Sequence, residues 1–164
     1  MDLEVTGQAE FKQLARRFRA AGTEGKQLRV ALRRELKEIA DPIAKDVKSN
    51  ALGIPSKQRG GGSGLRRAIA KATQVKVAIT NAGVVVKVWV NPGKMPAGQR
   101  ALPTLMEGKR GRWRHPVFGT DEWVNQASHP YFGKATDGAA VKATAAARRA
   151  LDETARKLNN LREL

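Results

Sequence analysis

His115 and His129 are the only histidines in the chain, and each is followed by proline. Neither has a carboxylate at metal-motif spacing, so rigid His-Pro turns describe them better than a ligand pair or a general base. Asp121 and Glu122 are neighbours, and adjacent side chains on a strand point to opposite faces, which argues against shared acid–base work. Ser49, Ser56, Ser63 and Ser128 lack any nucleophile-elbow context. Gly60-Gly61-Gly62-Ser63-Gly64 raises the question of a phosphate loop. Leu65-Arg66-Arg67 follows it, where a lysine and then a hydroxyl residue would be required. With no cysteine, disulfides, thiolate metal sites and cysteine nucleophiles are all excluded. The sequence therefore reads as a non-enzyme without catalytic residues, metal or cofactor.

Charge is the stronger signal. Lys and Arg total 31 against 15 Asp and Glu, a formal net charge of +16. Such a domain repels itself and attracts nucleic acid at low salt. Two stretches concentrate the excess. Lys57, Arg59, Arg66, Arg67, Lys71 and Lys76 have no acid among them, and Lys94, Arg100, Lys109, Arg110, Arg112 and Arg114 have only Glu107. The second stretch runs into Trp113, Phe118, Trp123, Tyr131 and Phe132. Arginine-supported stacking of single-stranded nucleic acid is one use for such a segment. Packing of a loop onto the sheet, or onto a neighbouring subunit, is favoured instead, because stacking platforms often sit on strands and most of these aromatics adjoin Pro or Gly. Arg16, Arg17 and Arg19 read as a solvated helix face. No helix-turn-helix or zinc-finger signature is evident.

These residues need elements to position them. A chain of 164 residues suits one domain, 1–164, and its apolar share is in the ordinary globular range. Residues 8–21 can form a short helix through Phe11, Leu14, Ala15 and Phe18, stopped by Gly22. Leu28, Leu32, Leu36, Ile39, Ile43 and Val47 then mark one stripe of a long helix over 24–51. Pro42 interrupts it, predicting a kink or a restart capped by Asp41; the stripe keeps its phase across Pro42, so a kink is favoured. Residues 56–64 read as a flexible glycine-rich loop, and 65–71 as one or two helical turns.

The period then changes to two. Val75, Val77 and Ile79, a turn at Asn81-Ala82-Gly83, and the run from Val84 to Val90 predict a β-hairpin. Residues 91–100 read as a loop, 102–106 as a helical turn, and 110–119 as a basic loop within a wider basic, aromatic segment, 108–133. Trp123-Val124-Asn125-Gln126 suggests a third strand. Ala-rich sequence from Asp137 to Leu161 predicts a C-terminal helix with Val141, Ala145, Leu151, Ala155 and Leu158 on one side. The expected fold class is α+β, a small antiparallel β-sheet packed against a long central helix and a C-terminal helix. No apolar run approaches the roughly 20 residues of a membrane helix. Met1-Asp2-Leu3-Glu4 lacks the order of a secretion signal, so a soluble, unexported protein is expected.

Three stretches, in this order, resemble a known family. The first is the long basic amphipathic helix. The second is the glycine-rich loop leading into Ser63-Gly64-Leu65-Arg66-Arg67-Ala68-Ile69 and the valine hairpin. The third begins with Leu102-Pro103-Thr104-Leu105-Met106-Glu107-Gly108 and Arg114-His115-Pro116-Val117-Phe118-Gly119. It continues through Trp123-Val124-Asn125-Gln126, a His-Pro-Tyr-Phe turn and the Ala-rich helix. Together they resemble the tail-completion or neck proteins of long-tailed bacteriophages, the gpZ-like minor tail components, in the form common in actinobacterial phages. The resemblance covers about residues 24–160. One position departs from the pattern: Met106 stands where the family often has an aromatic residue before Glu-Gly.

The resemblance implies a structural virion protein, assembled in the bacterial cytoplasm. It would form a homo-oligomeric ring, typically of six copies, in the neck. Its partners would be head-closure or connector proteins on one side and tail terminator or tail tube proteins on the other, with no membrane involved. Genomic DNA would pass through the lumen, contacted without sequence preference. On that expectation Lys57, Arg59, Arg66, Arg67, Lys71, Lys109, Arg110, Arg112 and Arg114 are candidates to line the DNA channel. Trp113, Phe118, Trp123, Tyr131 and Phe132, together with the long helix, are candidates for the subunit interface. The alternative is a non-enzymatic nucleic-acid-binding regulatory or ribosome-associated protein.

Overall fold

The structure is a computed structural model that describes residues 2–7, 9–55, 64–80, 84–108, 111–116 and 121–160. In chain order these form β1 (Asp2–Gly7), α1 (Ala9–Ala20), α2 (Gly22–Leu52), α3 (Gly64–Ala72), β2 (Thr73–Ile79) and β3 (Val84–Val90). A single 3-10 turn (Pro92–Lys94) follows, then α4 (Leu102–Glu107), β4 (Arg112–Pro116), β5 (Trp123–Ala127), α5 (Phe132–Thr136) and α6 (Ala139–Asn160). The fold is mixed helix and sheet, with a long central helix and a C-terminal helix. Two compact units emerge. One, the valine-sheet unit, takes in Asp2–Ala44, Val75–Trp89 and Gly138–Leu164; the other, the strand-pair unit, takes in Lys45–Gln74 and Val90–Asp137.

In the valine-sheet unit the strands lie in the order β1-β3-β2. β1 runs antiparallel to β3, with Leu3 opposite Val88 and Val5 opposite Val86. Only four residues join β2 to β3, too few for a parallel crossover, so this pair is a hairpin. Alternation along β3 decides which face is covered: Val84, Val86 and Val88 are buried, while Val85, Lys87 and Trp89 are half-buried. Leu36, Ile39, Ala40 and Ile43 of α2 meet Val86 and Val88 of β3 and Ala143 and Ala147 of α6 around one interior crevice. Each fully buried leucine in this stripe contributes about 1.5–3 kcal/mol.

The stripe on α2 is as its spacing predicts, with Leu32, Leu36 and Val47 almost wholly buried. Pro42 neither breaks nor restarts the helix, which is continuous from Gly22 to Leu52. Pro42 and Glu38 are both exposed, so the carbonyl deprived of its donor lies on the solvent side. Asp41 caps nothing there; its carboxylate accepts from Lys37 Nζ one turn earlier, at 2.6 Å. The join between α1 and α2 is equally tight. Gly22 has a φ of +55°, and a methyl group on Gly25 would stand 2.0 Å from the Phe18 carbonyl oxygen. Alanine at Gly25 therefore requires the helix join to open.

Three expectations are corrected. The strand at β5 does not extend the valine sheet; it pairs with β4 in a separate two-stranded antiparallel sheet. Five of the ten residues in the 110–119 segment read as a basic loop, Arg112–Pro116, are β4 itself. Its period-two signal is masked because the residues of its outer face, Arg112 and Arg114, are charged. On α6 the covered side is Ala147, Ala150, Leu151, Thr154 and Leu158, whereas Val141 is 74% exposed. The step of six residues from Ala145 to Leu151 does not fit a helical period, so the apolar marks before and after it lie on different sides.

Candidate nucleic-acid and assembly surfaces

In the strand-pair unit one carboxylate ties the end of α4 to the start of α5. Glu107, the last residue of α4, accepts backbone N–H groups from Tyr131 (2.8 Å), Phe132 (2.8 Å) and Gly133 (2.7 Å). These are donors at the start of α5, which its own helix cannot satisfy. Thr136 and Asp137 close the other end, the Thr136 hydroxyl donating to the Phe132 carbonyl and the Asp137 amide to that of Gly133. Met106, beside Glu107, is buried; its carbonyl accepts from the His129 amide at 2.7 Å and its sulfur from Gln126 Nε2 at 3.2 Å. The thioether thus fills interior space and also receives a side-chain donor.

This anchoring fixes the attitude of the β4–β5 pair. The register sets Arg112 opposite Ala127, Arg114 opposite Asn125 and Pro116 opposite Trp123. Arg112, Arg114, Trp123, Asn125 and Ala127 therefore share one face, and all five are exposed. Trp113 and Gln126 share the other face and are half-buried. On the exposed face the Arg114 guanidinium lies over the Trp123 ring, 5.3 Å from its centroid, a cation–π contact. Below the sheet, Ser128 donates its amide to Gly111 at 2.9 Å and its hydroxyl to Leu105 at 3.1 Å.

The structure separates the residues that the sequence grouped. Lys57, Arg59, Lys109, Arg110 and Phe118 lie outside the described residues. Arg112 and Arg114 are exposed on β4. Arg67 and Lys71 are exposed one turn apart on α3, where two like charges repel unless an anion or a partner sits nearby. Arg66 is different. Its Nη1 donates to the Ile54 carbonyl at 2.6 Å, bracing α3 against the residues that follow α2.

Arg66→Ala is accordingly expected to cost about 1–2 kcal/mol of stability, and Arg67→Ala less than about 0.5 kcal/mol, measured by urea unfolding. Equal effects would show that the Arg66 contact is not formed in solution.

The aromatic candidates divide in the same way. Tyr131 and Phe132 are 1% and 4% exposed, core residues of their own unit and not a free interface. Burial, and then the charge of Glu107, push the Tyr131 phenol well above its ordinary value. Trp113 is half-buried. Trp123, at 57% exposed, is the aromatic candidate that presents itself to solvent among the described residues. The positioning residue that sequence reasoning did not single out is Glu107. Its signal was present as the single acid in a basic stretch, but its partners lie 24 to 26 residues further on.

Elsewhere, a shallow depression on α2 is lined by Lys26, Gln27, Val30, Ala31 and Arg34, with Val30 69% exposed at its rim. Among the described residues no cluster of three His, Asp or Glu is placed to hold a metal ion. Nor, among them, is any helix long and apolar enough to cross a membrane. Compared with known protein families, with curated proteins and with solved structures, the chain matches none.

Proposed function

We propose that this chain is a structural virion protein of the phage neck. In this reading it forms an oligomeric ring, six copies being favoured, that completes the tail end and joins it to the head connector while DNA passes through the lumen. The observation that carries the reading is the set of exposed basic side chains on regular elements: Arg67 and Lys71 on α3, Arg112 and Arg114 on β4. A channel wall needs no base contacts, only phosphate attraction from such groups, and the net charge of +16 supplies it. The stretches of the family resemblance support it further. Within the third of them, the part ending in Glu107-Gly108 and the part running through His129-Pro130-Tyr131-Phe132 close on each other through the Glu107 carboxylate, 24 residues from Tyr131. A closed ring needs two different patches on each subunit, and the exposed Val30 on α2 suits one of them.

Electron microscopy of lysates from a phage lacking this gene tests the proposal. The expected result is DNA-filled heads beside unattached tails, with whole particles restored when the protein is supplied. Normally joined virions would overturn it.

One other reading has a specific observation behind it. Trp123 stacked with Arg114 on a strand face also suits a nucleic-acid-binding regulatory or ribosome-associated protein. A regulator would discriminate its site from random sequence by about 4–10 kcal/mol, whereas a channel lining shows no preference among DNA sequences.

A further inference from the structure

We propose that the exposed face of the β4–β5 pair is a platform for single-stranded nucleic acid, with Trp123 stacking on a base and Arg112 and Arg114 holding the adjacent phosphates. This goes beyond the neck reading, which requires only phosphate attraction to DNA as a whole.

Three observations carry it. First, the face is built on strands. The objection that these aromatics sit in turns fails for Trp123, which is the first residue of β5. Second, the composition of the face is one-sided. Its exposed residues are two arginines, a tryptophan, an asparagine and an alanine, with no carboxylate among them. Asp121 and Glu122 lie just before the Trp123 end, whereas Arg112 lies at the opposite end of the ladder. A bound strand would therefore run from the indole towards Arg112, away from the acids. Third, the platform is preorganised. The inward side is tied down through Gln126 and Met106, and Ser128 just past β5 holds Leu105 and Gly111, so little ordering is left for binding. The Arg114 guanidinium already lies over the indole and adds its own cation–π and stacking surface. An apolar protein partner would leave both arginines without an anion. A polyanion with π-faces satisfies the arginines and the indole together.

Fluorescence anisotropy of the full-length purified protein with an oligothymidylate of about 12 nucleotides tests this, since single-strand sites span about 4–16 nucleotides. Trp123→Ala is expected to weaken binding by about 5- to 150-fold, the range for losing one base stack, without changing the salt dependence. Trp123→Phe, which keeps a π-face, should recover most of the affinity. Arg112→Ala with Arg114→Ala should reduce the slope of log affinity against log salt by about 1.4, or 0.7 per phosphate contact. Arg33→Ala, at an exposed position on α2, should leave oligothymidylate binding within about twofold of wild type. Trp123→Ala should weaken binding to a blunt duplex of the same length far less, because every base pair but the two terminal ones has both faces covered by its neighbours.

Oligothymidylate affinity unchanged in Trp123→Ala would overturn the proposal, and so would an equal loss on duplex. Altered sedimentation of Trp123→Ala with oligonucleotide binding intact would assign the face to a protein contact instead. Each of these outcomes leaves the neck reading standing, since that is decided by particle assembly.

Discussion

Glu107→Ala is expected to lower the stability of the protein by about 3 kcal/mol, with Glu107→Gln falling between it and wild type. Hydrogen bonds to an ionised group contribute about 1.5–3 kcal/mol each. Two of the three donors, the amides of Tyr131 and Phe132, are partly buried, while that of Gly133 is exposed and finds water when the carboxylate is removed. The loss is therefore counted over two bonds and discounted for the half-exposed carboxylate. Against a total of about 5–15 kcal/mol for a typical domain, this is a large fraction. Glutamine keeps one carbonyl oxygen as acceptor but loses the charge, and its amide nitrogen faces donors where the second oxygen stood. Urea unfolding gives the energies. Amide hydrogen exchange gives the location: the protons of Tyr131, Phe132 and Gly133 should exchange much faster in the alanine variant. Unchanged exchange at these three amides would mean that Glu107 does not cap α5 in solution.

The Glu107 contact also shows where sequence reading stops. Helices and the valine hairpin are legible because their signals are local: the Leu28-to-Val47 stripe repeats every turn, and the run from Val84 to Val90 is too β-branched for a helix. β1 carries a signal of the same kind, Leu3 and Val5 alternating with Glu4 and Thr6, although its six residues draw attention first to the chain start. The β4–β5 pair is harder. A strand half-buried at Trp113 on one side and charged on the other resembles a basic loop when its outward residues are arginines and proline ends it. Face assignment needs a register, and the register of β4 on β5 is set by residues that no local pattern connects. Thus Arg112, Arg114 and Trp123 could be named as candidates from sequence, but not as neighbours on one face. Tyr131 and Phe132 stood beside them in the sequence and belong to the core. Arg66 and Arg67 make the same point within one helix: adjacent in sequence, one braces the Ile54 carbonyl and the other is exposed.

Alkaline unfolding should begin above about pH 10 and depend on Tyr131, the only tyrosine in the chain. Its ring is buried, and its hydroxyl has only a long contact, 3.4 Å, to the Pro103 carbonyl. Burial first, and the neighbouring Glu107 charge second, keep the phenol protonated in the folded protein well beyond the ordinary value of 10.0. In the unfolded chain the proton leaves at about pH 10. The folded state thus holds a proton that the unfolded state gives up, and stability present in full below pH 10 is lost as pH rises, by about 1.4 kcal/mol per unit. Lysines lose charge over the same range, which relieves the repulsion of a +16 chain and acts in the opposite direction. Tyr131→Phe separates the two. Its stability at pH 7 should lie within about 1 kcal/mol of wild type, because the hydroxyl contact is weak, and should fall less above pH 10. With a single tyrosine, the ultraviolet absorption of tyrosinate reports this residue alone. It should appear only together with loss of the folded circular dichroism signal. Tyrosinate forming near pH 10 in a protein still folded would show that the phenol is open to solvent, and with it the α5 end that Glu107 holds.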